Sequence, residues 1–212
     1  MIRIRNFKKG FSLATPLLFF ILALNPCAEA MQQDTKMAIP DVTVYNQDGK
    51  RLRFYSDLIK GKLVAINFIF TSCTYICPMQ GATFSKLQAA LGDRLGSDVH
   101  LISISIDSPT DTSERLKAWS QRYGAKPGWT FVTGEKSEID KLLEALTGAP
   151  GGRGEHSAIA LIGNDGGTWI RAYGMSEPER YIEMFEQVRG IQKRIMSLPR
   201  AAARYAKKRA AG

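Results

Sequence analysis

Three cysteines and two histidines in 212 residues are too few for most frameworks that these residues build. A disulfide-stapled fold needs more cysteines spread along the chain, so that class is excluded. Long apolar runs are also missing. The most apolar stretch, Leu13 to Leu24, is interrupted by Thr15 and Pro16. It falls far short of the roughly 20 residues that span a bilayer. Acidic residues are absent after Gln187, where eight basic ones stand between Arg189 and Arg209. No internal repeat and no second candidate core is visible, so one domain is expected once the terminal segments are set aside.

What is present begins with an address. Arg3, Arg5, Lys8 and Lys9 precede the apolar stretch, and Ala28-Glu29-Ala30 supplies small residues at the spacing a signal peptidase reads. Residues 1–30 therefore read as a signal peptide cleaved after Ala30, and the mature protein as exported to the periplasm. Retention of the segment would instead give membrane association. A lipid-bearing Cys27 is disfavoured by the preceding Asn25-Pro26. In an oxidising compartment thiols are paired, metal-bound or working redox groups, and only Cys73 and Cys77 survive the cut.

The formal net charge of +9 belongs to the ends. Residues 31–187 carry a charge near −2, so the basicity says little about the folded body. Nucleic acid is not expected as the partner of an exported protein. The basic tail, residues 189–212, is expected to be solvated, with contact to an anionic membrane surface as the alternative.

Period and turn chemistry predict an α/β order. Val42–Tyr45 and Arg51–Phe54 flank Asn46-Gln47-Asp48-Gly49, an N-terminal β-hairpin. Lys62–Phe70 (KLVAINFIF) and Val99–Ile106 (VHLISISI) read as strands buried on both faces. Helices are expected over about 79–91, from Asp111 to about Tyr123, over 137–146 and over 178–196, with Pro178 suited to a first turn. Further strands are expected at 129–132, 157–162 and 168–173, the last two joined by Asn164-Asp165-Gly166-Gly167. A central mixed sheet flanked by helices follows.

Cys73-Thr74-Tyr75-Ile76-Cys77-Pro78 stands where a buried strand gives way to a helix. Backbone N–H groups at a helix start stabilise negative charge and enrich the thiolate that binds metal or attacks disulfides. A four-residue separation brings the thiols within reach of one another if the segment is helical, so the pair can alternate between dithiol and disulfide. A permanent local disulfide would stabilise little over so short a loop. Soft sulfur selects copper(I) and zinc, and an imidazole would complete an S₂N set. His100, at the start of a strand, reads as a structural or rim residue. His156 opens a strand after the flexible Gly148–Gly154 stretch, and by itself reads as an ordinary strand residue rather than as a ligand. Asp107 ends the second strand, where it could orient an imidazole or serve the next helix; Asp111 and Thr112 are alternative helix caps.

Three segments together resemble the Sco/SenC family of copper proteins that assist cytochrome c oxidase assembly. They are Phe68–Pro78 (FIFTSCTYICP), Ser105–Thr112 (SIDSPTDT), and His156-Ser157 leading to Leu161–Gly166 (LIGNDG). The likeness spans about Pro40 to Val188. It implies a thioredoxin-like domain over 31–188 in which Cys73, Cys77 and His156 hold copper as Cu(I) or Cu(II). It also implies a metallochaperone that delivers copper to the dinuclear copper site of an oxidase subunit. Thr74, Tyr75 and Ile76 depart from the proline or acid common inside the family's cysteine motif.

The competing activity is a thiol–disulfide oxidoreductase, with Cys73 and Cys77 as a catalytic redox pair acting on an exported or membrane thiol protein. The extra residue relative to C-x-x-C disfavours a general reductase. A thiol peroxidase lacks its P-x-x-x-T-x-x-C stretch around Cys73. Exchange needs the cysteines alone, whereas copper affinity would need His156 as well.

Overall fold

The protein is described here by a computed structural model covering residues 37–148, 158–173 and 175–197. The expected signal segment, the end of the basic tail and His156 lie outside the described residues.

Seven strands form one mixed sheet: β1 (Thr43–Asn46), β2 (Arg51–Arg53), β3 (Leu63–Ile69), β4 (Val99–Ser105), β5 (Trp129–Thr133), β6 (Ile159–Asn164) and β7 (Trp169–Tyr173). Their order is β2-β1-β5-β4-β3-β6-β7. The central β3, β4 and β5 run parallel, while β1–β2, β1–β5, β3–β6 and β6–β7 pair antiparallel. Among the described residues four α-helices cover the sheet: α1 (Ile76–Leu91), α2 (Ser113–Arg122), α3 (Lys136–Thr147) and α4 (Pro178–Ser197).

The apolar run of β3 is continuous because each face of the sheet carries its own core. Leu63, Ala65 and Ile69 meet Phe84 and Leu87 of α1, Leu116 and Trp119 of α2, and Tyr181 and Phe185 of α4. The alternate residues Val64, Ile66 and Phe68 meet Ile139, Leu142 and Leu143 of α3. Period-two alternation thus feeds two helical layers. One polar thread crosses the first layer: Trp129 Nε1 donates to Ser103 Oγ at 3.0 Å, and Ser103 Oγ donates to Asn67 Oδ1 at 2.6 Å, all buried.

The N-terminal hairpin forms as expected. Asn46 Oδ1 accepts from the N–H groups of Asp48 and Lys50, and Gly49 takes the left-handed φ of 76° that the reversal requires. Phe54 does not extend β2. Its side chain is fully buried, and residues 54–59 coil into a π-helical turn that carries Leu58 and Ile59 into the same core.

Two further boundaries differ from the sequence reading. Helix α1 begins at Ile76, ahead of Met79, so Cys77 and Pro78 lie inside its first turn; a proline costs little there because its missing N–H would be unpaired anyway. Asp111 does not cap α2. Thr112 does, its hydroxyl accepting from Arg115 N–H, and the Asp111 side chain turns inward.

Candidate metal centre

The parallel register fixes where the thiols stand. Cys73 lies in the connection from the C-terminal end of β3 to α1 and Cys77 in the first turn of α1, near the end of β4, where Ile69 pairs with Ser105. His100 pairs with Val64 at the opposite end of the same strands. Its pKa is depressed by burial and by the Lys62 charge, against a smaller opposing effect of Asp98. It takes no part in the thiol site, in agreement with its reading as a rim residue.

Cys73 and Cys77 are both free thiols. Cys73 stands before the helix and does not share one helical face with Cys77. The two meet because the Cys73 sulfur caps the helix start: Cys77 N–H donates to Cys73 Sγ at 3.4 Å, and no other side chain caps this end. The orphan N–H groups that every helix start presents are thereby aimed at sulfur.

The two thiols are electrostatically unlike. Partial burial pushes Cys73 up, but backbone hydrogen bonds from Cys77 and Tyr75, with smaller contributions from the Cys77 thiol and the Ile76 backbone, outweigh it. Cys73 therefore titrates below the ordinary 9.0. Cys77 is 1% exposed. Burial pushes its pKa up to about 12, opposed by a backbone hydrogen bond at Phe70 and assisted by the Cys73 sulfur and the Asp111 carboxylate. One sulfur is the more acidic of the pair and the other is held as thiol. Such a pair can accept a soft monovalent cation with loss of the Cys77 proton, since coordination deprotonates a thiol outright. Among the described residues no group of three histidine, cysteine or carboxylate side chains forms a metal cluster.

Tyr123 walls the site. Its ring lies over Gly81, one turn beyond Cys77, and 5.2 Å from the Trp119 ring, while the Arg122 guanidinium sits 5.9 Å from both rings. Burial raises the Tyr123 pKa, Arg122 opposes, and the charges of Cys77 and Cys73 add to the rise, so the phenol lies within electrostatic reach of both sulfurs. At the mouth, Tyr75 and Met79 are 78% and 48% exposed, large apolar side chains left facing outward beside the thiols.

Asp111 went unrecognised in the sequence as part of this site. Its fully buried carboxylate accepts from Thr71 N–H at 3.1 and 3.2 Å, from Thr71 Oγ1 at 2.5 Å and from Ser105 Oγ at 2.7 Å. Asp107 stands beside it: its carbonyl accepts from the Thr110 and Asp111 N–H groups, and its N–H donates to Ser105 Oγ at 3.1 Å.

Residues 30–191 match the family model described as SCO1/SenC. The SCO1 protein homolog of Bacillus subtilis (strain 168) is 31% identical over 181 residues, covering 81% of this chain and 92% of that protein. A solved structure of BsSco, described as having a disulfide switch and as a member of the Sco family of cytochrome c oxidase assembly proteins, is 28% identical with a TM-score of 0.58. It covers 74% of this chain and 98% of its own. Bradyrhizobium japonicum ScoI with copper bound shares the fold at 23% identity and a TM-score of 0.58, over 71% of this chain and 99% of that one. With the thioredoxin-like sheet of these relatives and a family match over most of its length, this chain belongs to the SCO1/SenC family.

Proposed function

We propose that the protein is an exported copper carrier that binds copper through Cys73, Cys77 and His156 and passes it to the dinuclear copper site of a respiratory oxidase. The observation that carries this is the pairing of a thiolate-enriched Cys73 with a buried Cys77 at the C-terminal end of the central strand. Sulfur donors suit copper, and the same scaffold carries copper in ScoI. The oxidase assignment rests on family membership and on the description of BsSco as an oxidase assembly protein. Residues 1–30 serve export in this reading, 31–188 form the working domain, and 189–212 are an appended basic tail.

Copper is cargo here. A partly exposed Cys73 leaves it accessible to an incoming thiolate, and Tyr75 and Met79 offer apolar surface for a partner beside it. Transfer is tested by mixing the copper-loaded protein with the metal-free, reduced soluble copper domain of the oxidase. Movement of copper to that domain supports the proposal, and retention of copper in the presence of excess acceptor contradicts it.

The asymmetry of the thiols also favours a second reading, thiol–disulfide exchange. The Cys73 thiolate would attack a partner disulfide to give a mixed disulfide and one partner thiolate. Cys77, on losing its proton, would attack the Cys73 sulfur, releasing the second partner thiolate and leaving Cys73–Cys77 oxidised. The partner gains the two electrons that the pair loses. Loss of His156 would spare this reaction and abolish tight copper binding.

A further inference from the structure

The turn between β3 and α1 carries Cys73 and is held by a carboxylate that the chemistry above does not use. Asp111 is fully buried, so its charge must be met by donors inside the protein. Two of its three donor groups belong to Thr71, the backbone N–H and the hydroxyl, and the third is Ser105 Oγ at the end of β4. The Thr71 hydroxyl in turn accepts from Arg115 Nε at 3.0 Å, and the same guanidinium lies 3.9 Å from Asp111 Oδ1. A chain of donors thus runs from a half-exposed arginine on α2, through one hydroxyl, to a buried carboxylate. Thr71, its middle member, stands two residues before Cys73, whose own N–H is tied to Phe70 O at 3.1 Å.

We propose that Asp111 is a positioning residue for the thiol pair, acting through Thr71 to hold the Cys73 turn closed over Cys77. It touches neither sulfur by hydrogen bond. Its contribution is to make opening of the turn break charge-assisted hydrogen bonds inside a dry site, which is more costly than breaking ordinary ones. Arg115 makes the latch addressable from the surface, because its guanidinium completes the Thr71 hydroxyl's bonding. The inference rests on the reading of Cys73 and Cys77 as the working site, but not on copper.

The test uses the reduced, metal-free protein and the alkylation rate of Cys77 by iodoacetamide, read by mass spectrometry. Cys77 is 1% exposed, so its rate reports how often the turn opens. Thr71→Val keeps shape and the backbone bond and removes only the hydroxyl; Thr71→Ser keeps the hydroxyl. Thr71→Val should alkylate Cys77 about tenfold faster than the native protein, and Thr71→Ser within about twofold of it. Leu143→Ala, a core truncation in the other layer, should lower stability and leave the Cys77 rate at the native value. Equal rates for Thr71→Val and native protein, or equal acceleration by Thr71→Val and Thr71→Ser, would overturn the proposal. If the native protein bound no copper, the carrier function would fall while this result stood unaffected. Asp111→Asn should give the same acceleration where it folds; the threonine pair decides the matter where it does not.

Discussion

A carbon added at Gly81 would meet the Tyr123 ring at 2.6 Å, so the absence of a side chain on α1 is what lets this ring lie beside the thiols. Gly81 has ordinary helical neighbours and no left-handed φ, and a helix interior is otherwise an unfavourable place for glycine. Gly81→Ala therefore has two opposed effects: about 1 kcal/mol of helix propensity gained, and an overpacking cost of about 1–3 kcal/mol as the ring is displaced. In a Tyr123→Ala background only the gain remains. Urea unfolding of the four proteins should show Gly81→Ala stabilising by about 1 kcal/mol without the ring and not with it. Equal effects in both backgrounds would mean that the ring does not rest on this glycine.

The thiols should separate by reactivity. In reduced, metal-free protein Cys73 should alkylate first, with an inflection below the ordinary thiol value, while Cys77 stays protonated well above it. The raised Cys77 pKa also makes a stability statement. A group that binds its proton more tightly when folded contributes stability fully below its unfolded value, near 9.0, and loses it as pH rises towards about 12. The difference in unfolding free energy between the native protein and Cys77→Ala should therefore be flat below pH 9 and shrink above it. A difference that grew with pH would contradict the assignment.

Ser103 joins Asn67 to Trp129 across three strands of the sheet. Ser103→Ala strands the Trp129 N–H and the Asn67 carbonyl in a fully buried setting. A cost of about 2 kcal/mol in urea unfolding is expected, above that of removing a solvated hydroxyl. A change under about 0.5 kcal/mol would show that the two groups find other partners.

The sheet's central strands and all four helices were legible because their patterns were strong. KLVAINFIF and VHLISISI have the length and β-branched content of strands with two buried faces, and the Asp48-Gly49 turn signalled the hairpin. The boundary of α1 was not, since the capping group is the Cys73 sulfur, and no sequence rule expects a thiol in that role. The place of Asp111 was not legible for a related reason. An acid two residues ahead of a helix looks like a cap, and only the fold brings Thr71, 40 residues away, against it. The pairing of Thr71 with Asp111 and the seating of Tyr123 on Gly81 are long-range contacts with no local pattern. Phe54 left its expected strand because its ring had a core to fill.

The central claim, a copper site made by Cys73, Cys77 and His156, is tested most directly by anaerobic copper(I) titration of reduced residues 31–212 against a competing chelator. The account predicts about one copper per chain, with tight binding lost in each of Cys73→Ser, Cys77→Ser and His156→Ala. Tight binding that survives all three substitutions would contradict it.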